Sequence, residues 1–190
     1  MSQRLVYAVG PSGVGKDSLL AWLSGRLQPD TLVSVHIARR SITRAADHGT
    51  EQHEALSKQA FAALSAARAF AMEWHANGLN YGVRHSELMG LDADGFVIVN
   101  GSRAYVPVVR LNWPGVCVLH VDAPASVVRE RLLQRGRETA DAVEARVARS
   151  QQVSARPLAG DLFIHNTGTL EDSGHLLLAS LQQHFQRVKG

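Results

Sequence analysis

The sequence predicts an α/β fold, a mostly parallel sheet flanked by helices and carrying two insertions. Three observations predict it. Apolar runs with β-branched residues recur between helical patterns, which is how βαβ units read. The first of these runs leads into a glycine-rich loop that opens a helix. The chain has 190 residues, 45% hydrophobic and 19% charged, enough apolar matter for one buried core and too much for disorder.

In chain order, Leu5 to Val9 is a short apolar strand, and Lys16 to Leu27 a helix with apolar residues at helical spacing. Leu32 to Ile37 is the second strand. Ser57 to Ala67 is a helix with Ser57 as its N-cap. Phe96 to Val99 is the third core strand, followed by a helix over Ser102 to Leu111. Val116 to Val121 and Leu162 to His165 complete the sheet. Between them Ala125 to Gln134 is helical, and after them Leu170 to Val188 is a long helix entered through Thr169, another acceptable cap. Two stretches break the alternation. Residues 39–94 are rich in His, Gly and Glu, and residues 135–156 are Arg-rich with little apolar content, a pattern that predicts a mobile flap. A core with two insertions predicts an enzyme that closes over its substrates.

Composition excludes several classes. No apolar run approaches the ~20 residues that span a bilayer, and Met1-Ser2-Gln3-Arg4 shows no cleavable signal pattern. The lone Cys117 forms no internal disulfide. These features predict a cytoplasmic protein that is not bound to membrane. A formal net charge of +3 is too small for a nucleic-acid binder. The cations are unequal: three are Lys (Lys16, Lys58, Lys189) and the other 17 are Arg. A GC-rich genome explains that excess as readily as bidentate binding of phosphate does, so position has to decide.

The position is informative first at Gly10-Pro11-Ser12-Gly13-Val14-Gly15-Lys16-Asp17. Its glycines permit backbone angles that aim successive N–H groups inward, making an anion cradle at a helix N-terminus. Lys16 reaches the β- and γ-phosphates of a nucleotide as a point charge. The pattern expects Ser or Thr after the Lys, but Asp17 stands there, with Ser18 behind it. A carboxylate is a hard ligand for Mg²⁺, which makes Asp17 and Ser18 the metal-facing candidates; an acid at a helix N-terminus is the plainer explanation.

In the first insertion, Arg39-Arg40-Ser41-Ile42-Thr43-Arg44 puts three Arg within six residues, suited to a phosphorylated acceptor. His48 and His53 with Glu51 and Glu54 match no standard metal-ligand spacing. In the flap region, Arg129, Arg131, Arg135, Arg137, Arg146 and Arg149 fall within 21 residues. Phosphoryl transfer asks for charge neutralisation and in-line alignment, which Arg supplies. Arg135 and Arg137, on either side of Gly136, are the candidates for transition-state contacts. Cys117 reads as a buried strand residue.

Taken together, the phosphate loop, Ile42-Thr43-Arg44, Asn80-Tyr81-Gly82 and Arg135-Gly136-Arg137 resemble the guanylate kinase group of small P-loop kinases over nearly the whole chain. The resemblance implies one P-loop kinase domain over 1–190, with an acceptor-binding insertion at 39–94 and a lid at 135–156. Departures point away from a purine acceptor. His75 stands where that group's base-reading Glu is expected, Asp47 replaces a second acceptor-phosphate Arg, and Val99-Asn100-Gly101-Ser102-Arg103 replaces an acidic stretch. The segments Lys16-Asp17-Ser18-Leu19-Leu20, Trp74-His75-Ala76-Asn77-Gly78-Leu79 and Arg135-Gly136-Arg137-Glu138 are more similar to the ribose 1,5-bisphosphate phosphokinase family, including the unusual Asp17.

That similarity implies transfer of the γ-phosphoryl of ATP to the 1-phosphate of ribose 1,5-bisphosphate, with Mg²⁺, giving 5-phosphoribosyl 1-diphosphate. Guanylate or another nucleoside monophosphate kinase is the alternative. On this reading Gly10, Pro11, Ser12, Gly13, Val14, Gly15, Lys16, Asp17 and Ser18 hold the nucleotide, and Asn166 meets the adenine edge. Arg40, Arg44, His75, Asn77, Tyr81 and Arg103 hold the sugar phosphate. The partner is a small phosphorylated sugar, without nucleic acid or membrane; a homodimer is compatible with the sequence.

Overall fold

The computed structural model describes residues 2–27, 34–45, 53–91, 95–134, 136, 139–152 and 155–190. A 3₁₀ turn at Ser2–Arg4 precedes strand β1 (Leu5–Val9), and the phosphate loop then opens helix α1 (Lys16–Ser24). Next come β2 (Val35–Ala38), β3 (Arg40–Ile42), β4 (Glu54–Ala55), α2 (Lys58–Ala66), β5 (Phe70–Ala76), β6 (Leu79–Arg84) and β7 (Phe96–Asn100). The chain continues through α3 (Val106–Asn112), β8 (Cys117–Asp122), α4 (Ala125–Gln134), α5 (Ala140–Gln152), β9 (Leu162–His165) and α6 (Leu170–Lys189).

The main sheet has five strands in the order β2-β7-β1-β8-β9, and every pairing in it is parallel. All five residues of β1 are buried, because successive side chains point to opposite faces and both faces are covered. Val6 and Ala8 join the cluster formed with Leu19, Leu23, Leu177 and Leu181 from α1 and α6. Leu5, Tyr7 and Val9 join the other, with Val106 and Val109 of α3 and Met72 and Val83 of the second sheet. The strand order reverses at β1, so the crevice at the carboxyl ends of β1, β7 and β8 is where an α/β sheet of this kind takes its ligand.

The second sheet has four strands, in the order β4-β3-β6-β5. It comes from the stretch that showed no alternation of strand and helix. The β5–β6 turn uses Asn77 (φ 52°) and Gly78 (φ 74°), both left-handed, the geometry of a type I′ hairpin.

Several elements differ in extent from the sequence reading. The first helix stops at Ser24 with Gly25 as its C-cap, rather than reaching Leu27. The second strand is Val35–Ala38, one residue further on at its end than expected, and part of its expected beginning lies outside the described residues. The helix expected over Ser102 to Leu111 is a 3₁₀ turn (Arg103–Tyr105) and then α3, whose first turn carries Pro107; Pro is tolerated there because those N–H groups have no partner within the helix. The 135–156 stretch, expected as a flap of little apolar content, carries the helix α5. Its Val143 and Val147 are one turn apart and bury themselves against Val128 and Leu132 of α4. Ser57 and Thr169 cap α2 and α6, accepting from Ala60 N at 3.0 Å and Asp172 N at 3.1 Å.

Candidate active site

The loop after β1 is shaped by glycines where no other residue fits. Gly15 caps α1 with φ 90°, and a Cβ there would lie 2.5 Å from the Asn166 carboxamide. Gly10 has no room either, since its Cβ would meet the Val121 carbonyl oxygen at 2.3 Å. The loop is thus pressed onto β8 behind it, with its N–H groups and the positive end of α1 available to an anion.

Lys16 and Asp17 begin that helix, and Asn100 ends β7, paired in register with Ala8 of β1. Lys16 Nζ donates to Asn100 Oδ1. Asn100 Nδ2 donates to Asp17 Oδ1 at 2.9 Å, and Lys16 Nζ lies 3.5 Å from the same oxygen. Partial burial pushes the Asp17 carboxyl up, but Lys16, the Asn100 hydrogen bond and Arg40 outweigh it, so its pKa falls below the ordinary value. Asp17 is therefore an ionised, half-exposed carboxylate. Mg²⁺ is commonly held by one or two carboxylates with substrate phosphates and water, so this donor set, with Ser18 one residue on, fits that ion. Among the described residues no group of three or more His, Cys, Asp or Glu gathers as a metal cluster.

Two arginines reach the loop from the α4–α5 pair. Arg146 Nε donates to Ser12 Oγ at 3.0 Å. Arg131 Nη1 donates to the carbonyl oxygens of Asn166 at 2.9 Å and Val14 at 3.4 Å, and its Nη2 to that of Gly168 at 3.2 Å. Sequence reasoning counted both within the Arg-rich run but singled out Arg135 and Arg137, which lie outside the described residues. A signal was present: Val143 and Val147 are the buried stripe of a helix, and Arg146, three residues from Val143, flanks it. Asn166 is 3% exposed, and its Nδ2 donates to the Val14 carbonyl at 2.7 Å. Its Nδ2 thus braces the phosphate loop.

On the second sheet, residues opposite one another share a face. Met72, Trp74, Tyr81 and Val83 stand on one face, where Met72, Val83 and Trp74 pack against the main core. Trp74 stacks on Tyr81 (5.5 Å between centroids, 1° between planes) and meets Tyr7 edge-on at 6.4 Å. Arg40, only 7% exposed, lies 5.2 Å over the Tyr81 ring and close enough to Asp17 to lower its pKa. This aromatic floor with its arginine lies beside the phosphate loop. Arg44 follows β3 and contacts His53 Nδ1 at 3.4 Å. Arg103 opens the 3₁₀ turn after β7 and is partly buried.

His75 departs from expectation. It pairs across the hairpin with Asn80, its Nδ1 lying 2.8 Å from Asn80 Oδ1, and is exposed. Being one residue from Trp74, it points to the opposite face of the sheet, away from the aromatic floor. Asn77 sits in the hairpin turn, where its left-handed backbone already accounts for an Asn. Asp47 lies outside the described residues. Cys117 is buried at the start of β8, and burial pushes its thiol up to about 12, so it is inert. No helix among the described residues is long and apolar enough to cross a membrane.

No protein-family model matches the chain. Among curated proteins, it is 42% identical over 181 residues to ribose 1,5-bisphosphate phosphokinase PhnN of Burkholderia pseudomallei, covering 95% of this chain and 96% of that protein. It is also 42% identical over 184 residues to the protein of the same name in Pseudomonas paraeruginosa, with 95% and 96% coverage. The identity is 37% over 182 residues for that of Agrobacterium fabrum, with 94% and 96% coverage. Among solved structures, guanylate kinase from Anaplasma phagocytophilum superposes with a TM-score of 0.59 at 17% identity, covering 94% of this chain and 84% of that one. At that identity the likeness speaks for the fold alone. With a sequence match that runs nearly end to end on both sides, the chain belongs to the ribose 1,5-bisphosphate phosphokinase family.

Proposed function

We propose that this protein transfers the γ-phosphoryl group of ATP to the 1-phosphate of ribose 1,5-bisphosphate, giving 5-phosphoribosyl 1-diphosphate and ADP. The observation that carries the reading is the 42% identity over 95% of the chain to a curated ribose 1,5-bisphosphate phosphokinase. The site's chemistry agrees with it. In the reaction, an oxygen of the acceptor's 1-phosphate attacks Pγ, the bond from Pγ to the β–γ bridging oxygen breaks, and ADP departs with that electron pair. A phosphate monoester with a second pKa of about 6 is mostly ionised at neutral pH, so no general base is needed.

The protein's contribution is then cationic and positional. The loop N–H groups from Gly10 to Gly15 and the α1 N-terminus take the β- and γ-phosphates, and Lys16 leaves Asn100 to join them. Arg146, seated on Ser12, and Arg131, on the loop carbonyls, bring charge to the same place, with Arg135 and Arg137 as further lid contacts. Asp17 and Ser18 would hold Mg²⁺, which when bound offsets the negative charge between the β- and γ-phosphates. Arg40, Arg44 and Arg103 take the two acceptor phosphates, and Tyr81 with Trp74 forms the floor under the sugar. In this reading 39–94 is the acceptor-binding insertion and 135–156 the lid of a single domain. ATP and sugar phosphates are cytoplasmic metabolites, which puts the enzyme in the cytoplasm.

The test is turnover with Mg²⁺ and ATP, comparing ribose 1,5-bisphosphate with GMP and identifying the product by mass. The expected result is 5-phosphoribosyl 1-diphosphate from the sugar and at least a hundredfold lower kcat/KM with GMP. Efficient GMP turnover overturns the reading in favour of a guanylate kinase.

A further inference from the structure

The carboxyl end of β7 holds a buried amide between two oppositely charged side chains. Asn100 is 4% exposed, and both ends of its side chain meet the start of α1: Oδ1 accepts from Lys16 Nζ, and Nδ2 donates to Asp17 Oδ1 at 2.9 Å. Phosphate-loop NTPases hold their metal between two points, a hydroxyl residue following the loop lysine and an Asp on a strand. Here the chemistry at the two points is exchanged. The carboxylate, Asp17, is on the loop, and the neutral partner, Asn100, is at the end of the strand beside β1. The count of carboxylates at the pair stays at one.

Electrostatics explains why the exchange has to be made at both places. A carboxylate at each would put like charges about 3 Å apart, where both cannot stay ionised without a large cost. A neutral group at each would remove the carboxylate that lies 3.5 Å from Lys16 and would take a hard charged ligand from the pair. An amide accepts from the ammonium through its oxygen while donating to the carboxylate through its nitrogen, and it adds no charge of its own.

We infer that Asn100 is the positioning residue for a relocated metal-facing carboxylate: it orients Asp17 toward the bound nucleotide and holds the Lys16 ammonium in place until the phosphates receive it. The inference rests on the reading of the loop as an ATP site, and it makes positions 17 and 100 one coupled unit. Either change alone breaks the arrangement, and exchanging both rebuilds it the other way round.

The test measures binding of a non-hydrolysable ATP analogue by calorimetry, without Mg²⁺ and with saturating Mg²⁺, beside melting temperature and kcat. It uses wild type, Asp17→Asn, Asn100→Asp, the double exchange and Asn100→Ala. Wild type is expected to bind the analogue more tightly with Mg²⁺. Asp17→Asn should lose that enhancement at least tenfold, and Asn100→Asp should bind the metal-free analogue at least tenfold more weakly through its added charge. The double exchange should return the Mg²⁺ enhancement to within fivefold of wild type, and Asn100→Ala should raise the Mg²⁺ concentration for half-saturation about fivefold.

A double exchange no better than the product of the single effects overturns the inference. So does an Asn100→Ala protein whose melting temperature falls while its Mg²⁺ enhancement is intact, since that is a packing role alone. Should Asn100→Asp not fold, Asn100→Ser reads the same property: a fivefold higher Mg²⁺ requirement supports the inference and an unchanged one overturns it. The two readings separate cleanly. Wild type that binds Mg²⁺ and analogue but makes no sugar product sinks the acceptor assignment and leaves this one to be decided by the binding data. Product formation with no recovery in the double exchange does the reverse.

Discussion

At Ser12 a hydroxyl on the phosphate loop accepts from an arginine 134 residues further along the chain. That contact assigns Arg146 a different part from Lys16. Lys16 opens α1 directly after the loop, whereas Arg146 reaches the loop from α5, far along the chain. Lys16→Ala should lower kcat/KM by a factor of about 10³ with little change in melting temperature, in line with losing one preorganised charge. Arg146→Ala should lower kcat about tenfold or more while changing the KM for ATP by less than threefold, the pattern of an interaction made in the transition state. A raised KM with unchanged kcat would make Arg146 a ground-state contact. Steady-state kinetics on both variants, beside melting curves, separates these outcomes.

At the scale of elements, α5 carries that arginine, and a small apolar cluster holds α5. Val143 and Val147 are buried at 0% and 5% exposure against Val128 and Leu132. The exposed Arg129–Glu144 pair across the same helices adds little, as solvated ion pairs do. Val147→Ala removes two buried methyl groups, a loss of about 1–2 kcal/mol. It should lower the melting temperature by several degrees and kcat with it, because Arg146 loses its seat. Leu111→Ala, at a position 78% exposed, should change neither. A Val147→Ala enzyme with full kcat would show that Arg146 is placed by something other than this packing. The second sheet is tied in another way. Arg84 Nε and Nη2 donate to the two oxygens of Glu54 at 2.8 and 2.7 Å, and Ser41 Oγ donates to Glu54 Oε2 at 2.5 Å, so one carboxylate joins β3, β4 and β6.

For the whole molecule those ionised carboxylates decide how it meets acid. Arg84, against partial burial and with help from Ser41, holds the Glu54 carboxyl below its ordinary value; Asp17 is lowered as well. A folded-state pKa below the unfolded one adds stability above the ordinary carboxylate value of about 4, and that stability drains away as pH falls through the lowered value. Urea unfolding should therefore show wild type losing stability between pH 5 and pH 3. Glu54→Gln should be less stable than wild type by about 1 kcal/mol at pH 7, and the gap should narrow steadily as pH falls below the ordinary carboxylate value of about 4. A gap that does not change with pH would assign the Glu54 contribution to packing rather than charge.

Local chemistry was enough for much of this. The runs Leu5–Val9 and Leu162–His165, the caps Ser57 and Thr169, and the phosphate loop with Lys16 and Asp17 are all written in residues within a few positions of one another. Backbone angles, capping and apolar periodicity act over that range, so sequence alone determined the α/β class, the nucleotide-binding loop and the kinase family. It could not determine which distant groups meet. The four-stranded second sheet arises from short strands whose partners lie far along the chain, and β-pairing leaves little trace in any one strand. Only the tertiary structure put Asn100 between Lys16 and Asp17, carried Arg131 and Arg146 back to the loop, turned His75 to the far face and set Asn166 behind the cradle. Each of these depends on where two elements dock, and docking is decided by burial of faces that the chain brings together only when it folds.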